Sequence, residues 1–246
     1  MAVGTFGRPA TAPARLGLGR SDAVSPLGRE SAAYPARVRC AAGSIRAVIR
    51  GRVACLSAGS HCRKRNRRAY RRYGFICRDQ QLVYDWARLV RRPLHIPTLT
   101  PGSSCPETQP SGTLGEQGST ASQALAFGPG PAYPGLGVET SGAMLTFVWQ
   151  PTEAPYVGWY GTKALWTIPR YTGAVLVRGR QLDGDSGLGF DRGPGWSNRV
   201  HRGLRLGGPE AGLHPAATFV RRPGCFAYQV DVLHASYLIV FRAVLH

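Results

Sequence analysis

The amino-acid sequence predicts a mostly β protein, with an immunoglobulin-like β-sandwich at residues 143–246 behind a disordered, basic N-terminal segment. Two observations lead to this fold class. First, about seven short apolar stretches separated by turn signals follow one another within about 100 residues, which is the spacing of a sandwich. Second, the last stretch, residues 237–241, is apolar throughout, as expected for a strand buried on both faces.

The N-terminal segment, residues 1–80, differs from the rest of the chain in composition and charge. Residues 1–60 are rich in Gly, Ala, Pro, Ser and Arg without apolar periodicity, which predicts disorder. Residues 1–92 carry 20 basic and 4 acidic side chains, a net charge of +16, whereas residues 93–246 carry 11 and 9, a net charge of +2. The same composition is typical of GC-rich DNA read in an untranslated frame, so a misplaced start is an alternative origin of this segment.

A run of basic residues lies at 63–73, with Tyr70 within it and Tyr73 at its end. Clustered arginines release counterions from phosphates, and tyrosine rings stack on bases. The run is therefore a candidate nucleic-acid contact, and the alternative is a solvated, disordered stretch. The candidate contacts are Arg63, Lys64, Arg65, Arg67, Arg68, Arg71 and Arg72.

Between the basic run and the sandwich, the sequence predicts a short helix and an extended arm. Apolar residues recur at helical spacing within residues 81–92, and Pro93 ends the helix. Residues 93–142 are rich in Pro, Gly, Ser and Thr, which predicts an extended arm.

The predicted strands of the sandwich alternate apolar and polar residues or are wholly apolar. They are 143–149, 164–168, 174–180, 217–220, 225–231 and 236–242, with a weak strand near 187–190. In the strand 225–231, Phe226, Tyr228 and Val230 should face one side and Ala227 and Gln229 the other. A common core is expected to contain Trp166, Tyr228, Val230, Leu238 and Val240.

Six blocks within residues 84–242 resemble, in the same order, a family of uncharacterised bacterial proteins that are secreted or associated with the envelope. The blocks are RPLHIP (92–97), GSSCP (102–106), KALW (163–166), VRGRQLDG (177–184), PGCFAYQVD (223–231) and IVFR (239–242). The resemblance implies a β fold and an extracytoplasmic or cell-envelope location, and it carries no known activity. This chain departs from the family at Val232, where the relatives tend to have Gly, and it has no recognisable signal peptide.

Two of the six cysteines, Cys105 and Cys225, lie within these blocks. In an oxidising compartment they could form a disulfide that closes a loop of about 120 residues, and the alternative is two separate thiols. The other cysteines offer no Cys-x-x-Cys motif, and the pair Cys55 and Cys62, beside His61, is spaced too widely for an ordinary zinc knuckle. The sequence therefore predicts no metal and no cofactor.

Two sequence motifs imitate hydrolases. Gly184-Asp185-Ser186-Gly187 resembles the nucleophile loop of trypsin-like proteases, and with Asp231 and His234 it imitates blocks of a GDSL-type esterase. A nucleophilic Ser needs a His base that an Asp orients. The upstream His block of the proteases and the long helical segments of the esterases are both missing. We interpret the motif as a polar turn and predict no catalytic residue and no enzymatic activity.

Flat aromatic rings can stack on sugars, so Trp159 and Trp196, which lie in Gly-rich loops, are a candidate ligand platform. The leading functional hypothesis is a non-enzymatic binding or structural module of the bacterial cell envelope, with an envelope component or a glycan as its partner. Nucleic-acid binding through residues 63–73 is the alternative, and a Ser hydrolase is the weaker alternative. No run of 18 apolar residues occurs, so no transmembrane helix is expected.

Overall fold

The computed structural model describes residues 38–114, 125–139, 142–191, 199–207 and 212–246. Within these ranges the protein is mostly β, as predicted. The first strands and the two helices are β1 (Ile45–Ile49), β2 (Arg52–Leu56), α1 (Arg67–Arg72), β3 (Phe75–Arg78), β4 (Gln81–Tyr84) and α2 (Trp86–Val90). The later strands are β5 (Pro110–Thr113), β6 (Leu125–Phe127), β7 (Tyr133–Pro134), β8 (Gly137–Glu139), β9 (Gly142–Phe147), β10 (Tyr160–Ile168), β11 (Val175–Gln181), β12 (Gly189–Asp191), β13 (Leu204–Leu206), β14 (Gly212–Val220), β15 (Gly224–Val232) and β16 (Ala235–Leu245).

Two sheets form the C-terminal sandwich. One has four strands in the order β12-β14-β10-β7, and the other has six in the order β13-β11-β15-β16-β9-β8. The pair of β16 and β9 is parallel, and the other pairs in these two sheets are antiparallel. The facing sides of both sheets contribute to one apolar core. The predicted sandwich is therefore confirmed, but its predicted start at residue 143 is wrong, because β7 and β8 of the predicted arm also pair into these sheets.

The core between the sheets is aromatic. The rings of Trp166 on β10 and Tyr228 on β15 meet edge to face at 5.2 Å, and both side chains are fully buried. Phe241 on β16 stacks on Tyr228 at 4.6 Å. The expected positions of Leu238 and Val240 in this core are wrong: both are half-buried on the opposite face of β16. Because a strand alternates, it is Ile239 and Phe241 that point between the sheets.

An extended segment, residues 92–109, crosses the outer face of the six-stranded sheet, and we call it the strap. Backbone hydrogen bonds join it to the sheet region from Leu99 N to Leu182 O at 2.7 Å, from Thr108 N to Val240 O at 2.9 Å and from Ala143 N to Thr108 O at 3.1 Å. Its side chains cover the apolar outer face that Leu238 and Val240 would otherwise expose. The strap is the first part of the predicted arm, and the rest of that arm includes the short strands β5 to β8.

The N-terminal part of the described chain contains two β-hairpins and both helices. β1 pairs with β2 and β3 pairs with β4, each pair antiparallel. Disulfides join Cys40 to Cys55 and Cys62 to Cys77. A small core of its own includes Leu56, Tyr70, Phe75 and Leu82. Two disulfides around a core of this size follow the rule that small cores need covalent support.

The prediction of disorder for residues 1–80 is therefore wrong for residues 38–80, and its part on residues 1–37 lies outside the described residues. The composition of this region indicates disorder, but the paired cysteines and a few buried apolar side chains hold it together. The helix predicted over 81–92 is shorter than expected. Residues 81–84 pair with β3, so the helix begins only after Asp85, whose carboxylate accepts a hydrogen bond from Arg88 N at 3.3 Å. Among the described residues, neither helix has the length and apolar character to cross a membrane.

Candidate functional site

Helix α1 presents its arginines because its one apolar anchor is buried. Tyr70 is only 6% exposed and packs in the N-terminal core, while its hydroxyl accepts hydrogen bonds from Arg63 N and Asn66 Nδ2, both at 3.4 Å. The Cys62–Cys77 disulfide closes the loop that contains the helix. The basic run is thus a fixed element of the fold rather than the solvated, disordered stretch that the sequence left open.

With Tyr70 turned inward, the four arginines of α1 are exposed to solvent: Arg67, Arg68, Arg71 and Arg72. They include two pairs four residues apart, and like charges at that spacing destabilise a helix. The first turn contains no acidic residue that would compensate. This concentration of positive charge therefore costs stability in the free protein.

A fifth arginine of the same surface, Arg88, comes from α2. Arg88 Nη1 donates to Arg71 O at 3.0 Å, which joins the two helices. His234 comes from the tight turn between β15 and β16. Arg92 fixes that turn, since its guanidinium donates to Ala235 O at 2.7 Å and Leu233 O at 2.6 Å.

These five side chains surround an open cleft of about 390 Å³, which we call the arginine cleft. Its lining residues are Arg68, Arg71, Arg72, Arg88 and His234. Among the described residues, no carboxylate lies within ion-pair distance of the four guanidinium groups. Guanidinium donates in a planar fork that matches carboxylate and phosphate oxygens, so the cleft can bind an anion.

Three of the predicted nucleic-acid contacts, Arg68, Arg71 and Arg72, line this cleft. The other predicted contacts are exposed beside it on the same loop and helix: Arg63, Lys64, Arg65 and Arg67. Sequence reasoning missed Arg88 and His234. Nothing local marks either residue, because His234 lies more than 160 residues from α1 along the chain and only the fold brings it there.

Tyr70 and Tyr73, which the sequence suggested could stack on bases, are not available for stacking. Tyr70 is buried, and the hydroxyl of the half-buried Tyr73 accepts a hydrogen bond from Val48 N at 3.0 Å. Both rings belong to the N-terminal core. What remains at the surface is positive charge.

The residues of the imitated hydrolase motif are far apart. The backbone of Gln181 donates to Ser186 O, and Gln181 pairs with Phe226, whereas Asp231 lies five residues further along β15. At about 3.4 Å per residue this separates the two ends by about 17 Å. Ser186 itself is buried at 7% exposure. The structure therefore does not bring Ser186 together with Asp231 and His234.

Asp231 belongs instead to a buried polar network beneath the strap. Its carboxylate accepts from Arg178 Nη2 at 2.6 Å, Ser236 Oγ at 2.5 Å and Gln229 Nε2 at 3.0 Å. Arg178 Nη1 also donates to the backbone oxygen of Arg92 at 2.9 Å. The network joins three of the blocks on which the family resemblance rests, so these blocks have a structural role here.

The predicted aromatic platform is not formed by Trp159. The guanidinium of Arg221 lies 4.3 Å from the centre of its ring and covers one face, and the ring packs against the cluster around Phe219. Trp196 lies outside the described residues. Among the described tryptophans, Trp149 is the exposed one, at 40%, and the sequence did not favour it.

All six cysteines are paired in the structure. Cys105 of the strap is bonded to Cys225 of β15, the pairing that the sequence left open against two thiols. Cys55 and Cys62, considered for zinc, are each in a disulfide, so neither offers a thiolate. The described residues contain no cluster of three or more His, Cys, Asp or Glu side chains suited to a metal ion.

No family model and no curated protein matches this chain. Among solved structures, the N-terminal domain of PorA is similar over 46% of this chain and 96% of that one, at 14% identity and a TM-score of 0.23. A likeness at that TM-score supports no conclusion about fold or function.

Proposed function

We propose that this protein is a non-enzymatic, extracytoplasmic binding module that holds an anionic polymer of the bacterial cell envelope in the arginine cleft. One observation carries the proposal. Arg68, Arg71, Arg72 and Arg88 surround one cleft, and none of them has a carboxylate partner among the described residues. Repulsion among these arginines destabilises the free protein, and a bound anion would remove that repulsion.

The disulfides support the extracytoplasmic location. All six cysteines form disulfides, and such bonds persist in oxidising compartments and are rare in the cytosol. The resemblance of six sequence blocks to envelope-associated bacterial proteins agrees with this location.

The charge distribution favours a polymer over a small anion. Residues 38–92 contain fifteen basic and two acidic side chains, a net charge of +13. Arg63, Lys64, Arg65 and Arg67 are exposed beside the cleft, so an extended chain of anionic groups can contact the cleft and this neighbouring surface together. Each contact releases counterions, which makes such binding strong at low salt.

An envelope polymer is favoured over nucleic acid because, among the described residues, the lining of the arginine cleft includes no Tyr, Phe or Trp ring. Non-specific binding of single strands combines charge with stacking on aromatic side chains, and Tyr70 and Tyr73 are both held in the N-terminal core. The separation of Ser186 from Asp231 argues against the Ser hydrolase that the motif imitates.

The test is fluorescence anisotropy of labelled poly(glycerol phosphate) with the full chain over a series of NaCl concentrations. A triple variant, Arg68→Gln, Arg71→Gln and Arg72→Gln, should weaken binding at low salt. It should also reduce the slope of log K against log salt by about two to three, since each phosphate contact contributes roughly 0.7–0.9.

The matched control removes the same charge from exposed arginines that do not line the cleft, by Arg46→Gln, Arg52→Gln and Arg78→Gln. It should change the slope much less. Equal losses in both triple variants would contradict a defined cleft. Tighter binding of a DNA duplex with the same number of phosphates would replace the envelope polymer by nucleic acid.

A further inference from the structure

The charge of His234 depends on pH, and this sets it apart from the other residues that line the arginine cleft. Those four residues are Arg68, Arg71, Arg72 and Arg88, and guanidinium remains protonated throughout the physiological range. Imidazole is the side chain that ordinarily gains or loses its proton between about pH 5 and pH 8. The cleft therefore combines four constant positive charges with one group to which acidification can add a charge.

The fold holds His234 at the cleft through the backbone of its turn between β15 and β16. Arg92 donates from Nη1 to Ala235 O at 2.7 Å and from Nη2 to Leu233 O at 2.6 Å, so one guanidinium binds the carbonyls on both sides of His234. Leu233 N in turn donates to the hydroxyl of Tyr171 at 3.3 Å. The position of the imidazole beside α1 and α2 therefore does not depend on a bond of its own.

The imidazole of His234 is exposed at the cleft, and its ring nitrogens are available to a ligand. Within the described ranges of the chain, its side chain forms no hydrogen bond. A neutral imidazole has one N–H donor and one acceptor, whereas the protonated ring has two donors and a positive charge. Acidification therefore adds both a charge and a hydrogen-bond donor to the lining of the cleft.

The charged and titratable groups around His234 are mostly positive. Besides the arginines of α1 and α2 that line the cleft with it, the groups near its turn are Arg92, Tyr73, Asp85 and Tyr171. The carboxylate of Asp85 accepts from Arg88 N, and burial raises the pKa of Tyr171 above its ordinary value of 10.0, so this tyrosine adds no charge between pH 5 and pH 8. No carboxylate of the described residues lies within ion-pair distance of the imidazole. A positive charge on His234 therefore awaits a partner from outside the chain.

We propose that His234 couples anion binding in the arginine cleft to pH, with the imidazolium that forms on acidification acting as a fifth cation for the bound polymer. This inference rests on the function proposed above. The oxygens of a bound phosphodiester accept hydrogen bonds from the imidazolium and offset its charge. Binding of the polymer and protonation of His234 then favour each other, because linkage between two sites is reciprocal. The additional affinity is present at acidic pH and is lost as the pH rises and the imidazole becomes neutral.

The test is fluorescence anisotropy of labelled poly(glycerol phosphate) with the full chain at about pH 8 and at about pH 5, the two ends of the imidazole range. The phosphodiesters of this polymer do not titrate in that range, so a change in affinity comes from the protein. Affinity should rise about two- to fivefold at the lower pH, as expected for one solvent-exposed ion pair. The slope of log K against log salt should also become steeper by about 0.7–0.9, since one further contact releases counterions.

Two single variants assign the effect to a residue. His234→Gln should bind as the unsubstituted chain does at the higher pH and should lose both changes at the lower pH. The matched control is His246→Gln, since His246 is exposed and does not line the cleft, and it should keep both changes. A pH dependence that survives in His234→Gln would overturn the inference, as would equal losses in the two variants or pH-independent binding by the unsubstituted chain.

The inference and the proposed function can fail separately. The triple arginine variant tests the cleft at the higher pH, where His234 is neutral, whereas His234→Gln changes only the difference between the two pH values. Weak binding by the triple variant together with a pH dependence retained in His234→Gln would leave the cleft and overturn the role of His234. No binding by the unsubstituted chain at either pH would overturn both.

Discussion

Arg178 and Asp231 form an ion pair between the neighbouring strands β11 and β15, with Nη2 2.6 Å from Oδ2 and the carboxylate completely buried. The pair does not stand alone. Arg178 also donates to the strap through the backbone oxygen of Arg92, and Asp231 also accepts from Gln229 and Ser236. Because every member bonds another, removal of one group leaves several buried polar atoms without partners.

We expect Asp231→Ala to lower the free energy of unfolding by roughly 3–5 kcal/mol, since it leaves the charge of Arg178, whose side chain is only 17% exposed, without its carboxylate partner. The matched control is Asp185→Ala, which breaks an ion pair with Arg222 in which the Asp185 side chain is 89% exposed. That change should cost less than about 1 kcal/mol. Urea unfolding of both variants checks the contrast, and equal costs would mean that the network is not a stabilising centre.

Removal of the strap disulfide, by Cys105→Ser with Cys225→Ser, should lower the free energy of unfolding by up to about 5 kcal/mol in the chain-entropy model. The reason is that the bond closes a loop of 120 residues, and so lowers the conformational entropy of the unfolded chain more than a short loop does. Cys40→Ser with Cys55→Ser, at a separation of 15, should cost about 3 kcal/mol. Guanidinium chloride unfolding under non-reducing conditions measures both, and a larger loss for the shorter loop would contradict the order.

The orientation of the sandwich strands could be predicted from the sequence because it depends on local alternation. Phe226, Tyr228 and Val230 point between the sheets as their spacing indicates, and Gln229 points to the strap. The same alternation should have placed Leu238 and Val240 on the strap side. The alternation could not be seen in residues 237–241, which are apolar throughout, because the strap covers the outer face and lets apolar residues occupy both sides.

The candidate site could be predicted only in part. Arg68, Arg71 and Arg72 are visible as a basic run, but their fixed display depends on the burial of Tyr70 and on the Cys62–Cys77 bond. Cysteine pairing cannot be deduced from spacing, since six cysteines allow 15 connectivities. For this reason the sequence composition predicted disorder in a region that contains a small ordered core.

The buried tyrosines predict a loss of stability at alkaline pH. Burial raises the pKa of Tyr228 above its ordinary value of 10.0, and its hydroxyl lies 2.9 Å from Thr218 Oγ1. Below pH 10 both the folded and the unfolded state keep the proton, so the contribution of Tyr228 to stability is complete. Above pH 10 the unfolded state releases the proton first, so the free energy of unfolding falls until the pH passes the raised pKa of the folded state.

Unfolding midpoints in urea between about pH 9 and pH 11 measure this slope, which scales with the number of protons released. Tyr228→Phe should be less stable at neutral pH, by about 1 kcal/mol for the lost hydrogen bond, and less sensitive to alkali. Part of the slope should remain, because burial also raises the pKa of Tyr237. An unchanged slope in Tyr228→Phe would contradict this account.

The last prediction concerns the contact between the two sheets. Trp166 is fully buried and its ring meets that of Tyr228 at 5.2 Å, whereas Trp159 is half-buried at the edge under Arg221. Truncation of Trp166 to Ala should cost roughly 3–5 kcal/mol, through lost transfer free energy and the cavity that remains. Trp159→Ala should cost clearly less, because the space it leaves opens to solvent and the Arg221 side chain can move into it. Urea unfolding followed by circular dichroism compares the two. If both truncations prove equally mild, the two sheets do not share the aromatic core from which the sandwich is built.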